Sequence, residues 1–157
     1  MGGGKTYFTK DFIKRTKKNN IVYDVNAEYT DVPGARLFYD FGDFMAGAEK
    51  ATDSNIIFED ATGELGGKAE KNIKRLIVAK RHRRNNLLFL FHSIQDVPPF
   101  LFRMSNFIVL FKTGDLIEAV EKKAPILVNS FAKLQKMNFL YNENGKRYSP
   151  RLIIKKI

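Results

Sequence analysis

The chain contains no cysteine and only two histidines among its 157 residues. Without thiols it forms no disulfide and no thiolate metal site, which suits a reducing compartment. No apolar run reaches the roughly 20 residues that span a bilayer, and the start lacks the charged-then-apolar pattern of an export signal. We therefore expect no stable insertion into a membrane.

Acidic residues are also scarce relative to basic ones. Lysine and arginine together number 27 against 17 aspartates and glutamates, which gives a formal net charge of +10. Such an excess favours a polyanionic partner, nucleic acid above all. The length is that of one domain with a buried core, and we expect residues 1–157 to form a single domain.

Apolar segments alternate between strand-like and helix-like spacing along the chain. Apolar strands separated by helices predict an α/β fold with a mostly parallel sheet covered on both faces. Strands are predicted at Ile21–Val25, Asn55–Asp60, Asn86–Ser93 and Asn106–Asp115. Helices are predicted at Lys5–Lys18, Asp40–Ala51, Lys68–Arg84 and Pro125–Met137, with one more between residues 115 and 125. A C-terminal hairpin turning at Asn144-Gly145 completes the prediction.

The opening "MGGGKT" matches the closing half of a phosphate-binding loop, G-x-x-x-x-G-K-[ST]. In such a loop Lys5 would reach the β- and γ-phosphates, and the Thr6 hydroxyl would bind Mg²⁺. The first glycine of the pattern would lie two residues before Met1. A flexible glycine-rich start without a nucleotide is the alternative interpretation.

The strand "NIIFED" ends in two carboxylates, Glu59 and Asp60. A nucleotide hydrolase needs acidic residues at a strand end, one for the Mg²⁺ shell and one to polarise the attacking water. The usual order is Asp then Glu, and here it is inverted, so the base stays open between the two. A pair of turn-forming carboxylates is the structural alternative.

With these residues in view, the chain resembles the FtsK–HerA group of P-loop ATPases, and most closely the small viral genome-packaging ATPases. "DVNAEY" (Asp24 to Tyr29) is similar to the group's D-x-x-x-E-Y stretch, and "MGGGKT" to the tail of its G-x-M-G-x-G-K-[ST] loop. The resemblance implies a RecA-like P-loop core whose opening strand is missing from the numbered chain, with Met1 as an interior loop residue. The nucleotide-binding residues that it implies are Gly2, Gly3, Gly4, Lys5, Thr6 and Tyr7.

A third similar block is "AKRHRRNNLLFLFHSIQDVP". In the group, a polar sensor residue, usually Gln, lies at the strand tip. The resemblance assigns this role to His92, with Gln95 three residues later, and it implies that Arg81 or Arg84 is an arginine finger for a neighbouring subunit. A histidine hydrogen-bonded at a strand end and a solvated basic helix face are the respective alternatives.

The function implied by this resemblance is an ATP-hydrolysing translocase that packages a viral genome into a preformed capsid. Its cofactors would be ATP and Mg²⁺, and its partners double-stranded DNA, a capsid or portal vertex, and further copies in a ring. It would act in the host cytoplasm or at the packaging vertex. Two alternatives remain: a phage-assembly or secretion ATPase of the zonula-occludens-toxin type, and a basic nucleic-acid-binding protein with a decayed nucleotide site. The loop Thr62 to Lys68 is a candidate DNA contact.

Overall fold

The computed structural model describes residues 4–60, 62–65 and 67–156. Contacts between residues divide the chain into two compact units. One runs from Phe8 to Phe91, and the other joins the residues up to Tyr7 to the chain from His92 onward. The boundary falls within the first helix, α1 (Lys5–Arg15).

The first unit contains a four-stranded, fully parallel sheet in the order β2-β1-β3-β4. Because all four strands are parallel, their carboxyl ends lie at one edge of the sheet and the connecting segments return the chain to the other edge. The strands are β1 (Asn19–Tyr23), β2 (Ala35–Phe38), β3 (Ser54–Phe58) and β4 (Asn86–Phe89). The helices after α1 are α2 (Phe41–Lys50) and α3 (Lys68–Arg83).

Apolar side chains cover both faces of this sheet. Val22 and Ile57 are paired in register and pack in one core cluster with Ile13 of α1. On alternate positions, Phe58 contacts the ring of Phe44 from α2 edge-on, with ring centroids 4.9 Å apart. All five residues of β3 are buried. The predicted α/β class with a mostly parallel, doubly covered sheet is thus confirmed.

An asparagine ladder crosses the amino edge of the same sheet. Asn55 donates to Oδ1 of Asn20 at 2.9 Å, and Asn86 donates to Oδ1 of Asn55 at 2.9 Å. Asn55 also donates to the Thr16 hydroxyl at 3.1 Å and is fully buried. These contacts satisfy amide groups that would otherwise be costly to bury between three strands.

The second unit has a core formed by helices packed on an antiparallel strand pair. Leu110 of β5 (Phe107–Phe111) belongs to the buried cluster that includes Val120, Phe131 and Leu134. β5 pairs antiparallel with β8 (Arg151–Lys155), so this predicted strand has an antiparallel partner. The helices are α4 (Pro99–Met104), α5 (Ile117–Lys123) and α6 (Val128–Lys136), with short 3₁₀ turns at Ile94–Asp96 and Pro125–Leu127.

The predicted C-terminal hairpin is also confirmed. β6 (Leu140–Tyr141) pairs antiparallel with β7 (Arg147–Tyr148). Gly145 in the turn has a φ of 75°, a left-handed conformation that glycine adopts without steric cost.

The sequence missed two elements, β2 and α4, and overestimated the length of others. β4 ends at Phe89 rather than Ser93, and β5 ends at Phe111 rather than Asp115. Regular strand pairing therefore stops before the polar residues that the prediction had placed at each strand end.

Candidate functional site

Gly4 directly precedes α1. Gly4 has a φ of 88°, and an added Cβ there would lie 3.4 Å from the Ser149 carbonyl oxygen. This positive φ favours glycine at the position. Lys5 and Thr6 are the first two residues of α1, where backbone N–H groups and the helix dipole favour a phosphate. Gly2 and Gly3 lie outside the described residues.

The carboxyl edge of the parallel sheet carries Glu59 directly after β3. Its side chain is 2% exposed, and its amide N–H donates to the Tyr23 carbonyl oxygen at 3.2 Å. The Tyr29 hydroxyl donates a hydrogen bond to Oε2 of Glu59. A carboxylate buried this deeply requires such a donor, so Tyr29 is part of the site.

The Tyr29 hydroxyl interacts with two side chains, Glu59 and Thr9. Burial, and then the charge of Glu59, raise the pKa of the Tyr29 hydroxyl, so the group remains a protonated donor. A side-chain hydrogen bond from Thr9 acts on the same hydroxyl. Thr9 lies on α1 and is 1% exposed. A chain of hydrogen bonds therefore connects α1 to the end of β3.

The "DVNAEY" segment owes its shape to Asp24. This fully buried carboxylate accepts hydrogen bonds from the amide N–H groups of Glu28 at 2.8 Å and Tyr29 at 3.0 Å. Ala27, the residue before Glu28, has a φ of 53°. Asp24 thus fixes the turn that carries Tyr29 back over the sheet edge, which gives the motif a structural role in this chain.

Asp60 differs from Glu59 in exposure and backbone. It is partly exposed, it has a φ of 50°, and its Oδ1 accepts from the Thr62 hydroxyl at 3.2 Å. Left-handed backbone at a non-glycine residue is a form of strain that clusters at functional sites. Glu59 is thus buried and fixed, whereas Asp60 is more accessible to solvent.

Arg81 and Arg84 lie at the opposite edge of the sheet from Glu59. The Asp53 N–H, just before β3, donates to the Arg83 carbonyl oxygen at 2.8 Å, which places the end of α3 at the amino edge. The five residues of β3 separate the two edges by about 16 Å. Both arginine side chains are exposed. They are too far from Glu59 to act beside it in the same chain.

His92 and Gln95 follow β4 and belong to the second unit. His92 is exposed. Gln95 donates through Nε2 to Oδ1 of Asp115 at 3.2 Å. The side-chain amide of Gln95 is therefore oriented by Asp115.

Asp115 lies at the centre of a polar cluster in this unit. It accepts from the Ser93 and Thr113 hydroxyls at 2.5 and 2.6 Å and from the Ile94 N–H at 3.0 Å. Burial alone would raise the pKa of Asp115, but these hydrogen bonds together hold it below the ordinary value. This aspartate was not among the site residues predicted from the sequence. A short Thr-x-Asp after an apolar strand was its only signal.

Two features are absent from the described residues. Within 4–60, 62–65 and 67–156, no group of three or more histidine, aspartate or glutamate side chains is arranged to hold a metal ion. Over those same residues, no helix has the length and apolar character needed to cross a membrane.

Solved structures of viral packaging proteins resemble the chain over nearly its whole length. The genome-packaging NTPase B204 from Sulfolobus turreted icosahedral virus 2, in complex with ATP-γ-S, is 19% identical with a TM-score of 0.65, covering 98% of this chain and 91% of that one. Its AMPPCP complex is 19% identical with a TM-score of 0.67, covering 99% and 93%. B204, the DNA-packaging ATPase from Sulfolobus turreted icosahedral virus, is 16% identical with a TM-score of 0.67, covering 98% and 90%.

No protein-family model and no curated protein matches the sequence. At these identities the likeness establishes the fold. The chain has the P-loop NTPase fold of these packaging proteins, as the resemblance in its sequence implied.

Proposed function

We propose that the chain is an ATP-hydrolysing motor subunit that drives double-stranded DNA into a viral capsid. The observation that carries this proposal is Glu59, a buried carboxylate at the carboxyl end of the central strand β3 with a dedicated donor, Tyr29. In open parallel sheets, ligands bind beyond this edge. The fold supports the same function, because the proteins that share it are described as genome-packaging NTPases and were solved with ATP analogues.

The glycine-rich loop and α1 would bind the nucleotide. Backbone N–H groups of Gly2, Gly3 and Gly4 would face the phosphates, and Lys5 would neutralise charge on the β- and γ-phosphates. This binding of the phosphates would involve no contact to the base of the nucleotide. Tyr7, in the first turn of α1, would lie beside the nucleoside.

Mg²⁺ would accompany the nucleotide. Thr6 would offer a hydroxyl oxygen and Glu59 and Asp60 carboxylate oxygens, the ligands that this cation takes together with phosphates and water. Bound Mg²⁺ would neutralise charge on the transferred phosphoryl group. One carboxylate of the pair would bind the Mg²⁺ shell and the other would polarise the attacking water.

The remaining predicted residues would complete the reaction from other positions. His92 would contact the γ-phosphate or the attacking water, with Gln95 as the second candidate for the sensor. Arg81 or Arg84 would serve the nucleotide of a neighbouring copy, in keeping with their position at the amino edge of the sheet. This arrangement requires a homo-oligomeric ring.

DNA and the capsid would be the partners of that ring. A net charge of +10 suits contacts to DNA phosphates without reading of bases, which a motor moving along any sequence requires. Thr62 to Lys68 would supply part of this contact. The protein would work in the host cytoplasm or at the packaging vertex of the virion.

A Mg²⁺-dependent phosphate-release assay tests the proposal. Lys5→Ala is expected to abolish turnover, whereas Lys14→Ala, an exposed lysine of the same helix, is expected to leave it unchanged. Equal turnover in both variants would contradict the P-loop assignment. Absence of ATP binding by the unaltered protein, with DNA binding retained, would favour the basic nucleic-acid-binding protein instead.

A further inference from the structure

An aromatic pair lies next to the glycine-rich loop within the second unit. The rings of Tyr7 and Tyr148 are in contact, with centroids 5.7 Å apart and planes inclined by 30°. Tyr148 is partly buried, but Tyr7 is 57% exposed. The third residue of α1 thus combines a ring contact to Tyr148 with a largely exposed side chain.

The position of Tyr7 follows from helix geometry. Side chains of an α-helix lean towards its N-terminus, so a residue in the first turn covers the turn before it. Tyr7 therefore leans towards the end of the loop that contains Gly4 and Lys5. A ligand whose phosphates occupy the start of α1 would have its remaining part near this ring.

The connection after β7 holds Tyr148 in place. Ser149 is 3% exposed, its hydroxyl accepts from the Lys112 N–H at 2.8 Å, and it donates to the Pro150 carbonyl oxygen at 2.7 Å. The Ser149 carbonyl oxygen lies 3.4 Å from the Cβ position of Gly4. The same short segment therefore packs against the loop at Gly4 and against Tyr7, which fixes the ring relative to the loop.

Two cations of the same unit share one aromatic ring. Lys112 Nζ and Arg147 Cζ both lie over the ring of Phe139, at 4.6 and 4.3 Å from its centroid. Cation–π contacts of this kind hold the two cations in place, and Arg147 directly precedes Tyr148 in the chain.

We propose that Tyr7, supported by Tyr148, is the stacking platform for the purine base of the bound nucleotide. The inference rests on the proposed nucleotide-binding function and adds its base subsite. Tyr7 is the contacting residue, and Tyr148 is a positioning residue that acts through it. Stacking recognises any purine face without hydrogen bonds, so ATP and GTP would both bind by this contact.

The test compares ligands with and without a base. Affinities are measured for ATP, for inorganic tripolyphosphate and for 2-aminopurine riboside triphosphate, whose fluorescence is quenched by stacking. Tyr7→Ala and Tyr148→Ala are expected to weaken ATP binding about tenfold and to reduce the quenching, with tripolyphosphate affinity unchanged. Tyr148→Phe keeps the ring and should behave like the unaltered protein.

Two further variants distinguish a failure of the proposed function from a failure of the base platform alone. Tyr141→Ala removes an exposed tyrosine from the same hairpin and should change neither affinity. Lys5→Ala should weaken both ATP and tripolyphosphate. If the unaltered protein binds neither ligand, the proposed function fails and this inference with it. If it binds ATP and the tyrosine variants leave the ratio of the two affinities unchanged, only the base platform is overturned.

Discussion

The hydroxyl of Tyr29 donates a hydrogen bond to Oε2 of Glu59, and both side chains are buried. The contact joins the segment after β1 to the end of β3, thirty residues later in the chain. Thr9 hydrogen-bonds to the same hydroxyl from α1. The proposed phosphate-binding helix and one carboxylate of the proposed catalytic pair are therefore connected through one tyrosine.

Removal of this hydroxyl should cost both stability and turnover. Tyr29→Phe keeps the ring but leaves the buried Glu59 without this donor, so the free energy of unfolding should fall by about 1–3 kcal/mol. Turnover should fall because Glu59 loses its fixed orientation, while ATP binding through Lys5 persists. Urea denaturation and phosphate release measure the two effects. The matched control is Tyr39→Phe, an exposed tyrosine; equal results for the two variants would exclude the proposed role of Tyr29.

The acidic pair should divide into two different phenotypes. Glu59→Gln and Asp60→Asn are both expected to lower ATP turnover. Asn tolerates the left-handed backbone at position 60, so that change isolates the charge. The variant that removes the base should retain ATP binding, and the one that removes the Mg²⁺ ligand should also weaken it. Nucleotide affinity and single-turnover rates make this assignment, and normal hydrolysis by both variants would leave "IIFED" as a strand end only.

The sequence predicted the end of β3 well because an uninterrupted apolar run followed by carboxylates depends only on local pattern. It missed β2 because Ala35–Phe38 is short, half-buried and preceded by the turn at Pro33-Gly34. Contact between Tyr29 and Glu59 could not be derived, because it requires β1 and β3 to be neighbours in register. The resemblance pointed to the D-x-x-x-E-Y stretch without giving its role, and the buried Asp24 supplies that role.

The asparagine ladder was missed for a similar reason. Asn20, Asn55 and Asn86 each lie at the start of a strand, where asparagine in sequence suggests only a turn. In the structure Asn55 hydrogen-bonds to both other asparagines and is fully buried.

Asn55→Ala should therefore lower the free energy of unfolding by about 2 kcal/mol or more, because it leaves the partners of Asn55 unsatisfied. Asn19→Ala, exposed on β1, is the control; a loss no larger than the control's would show that the ladder contributes nothing.

Asp115 should make the stability of the protein sensitive to acid. Its pKa is lowered in the folded state, so the unfolded chain binds the proton more readily. The stability contributed by the carboxylate is then present above the ordinary aspartate pKa of about 3.9 and is lost as pH falls through the folded value. Asp115→Asn should flatten the stability curve below about pH 4.5 and lower stability at pH 7. Urea midpoints across this range measure the effect, with the exposed Asp96→Asn as control. An unchanged slope in the Asp115 variant would contradict the assignment.

The position of Arg81 and Arg84 at the amino edge of the sheet predicts that any catalytic role is exerted on another copy. Arg81→Ala and Arg84→Ala should be made separately, and the variant of the true finger should lose on the order of 10³-fold or more in turnover. Lys5→Ala is inactive for a different reason, because its own nucleotide site fails while its arginine remains. A mixture of these two inactive proteins contains interfaces that pair an intact nucleotide site with an intact arginine, so partial activity should return.

The control for these arginine variants is Arg75→Ala, exposed earlier on α3, which should cost little turnover. If an arginine variant instead binds DNA more weakly, with a smaller salt slope and normal turnover without DNA, that arginine lies on the DNA path. Unchanged turnover in both variants, in a protein that stays monomeric with nucleotide and DNA, would rule out the ring motor.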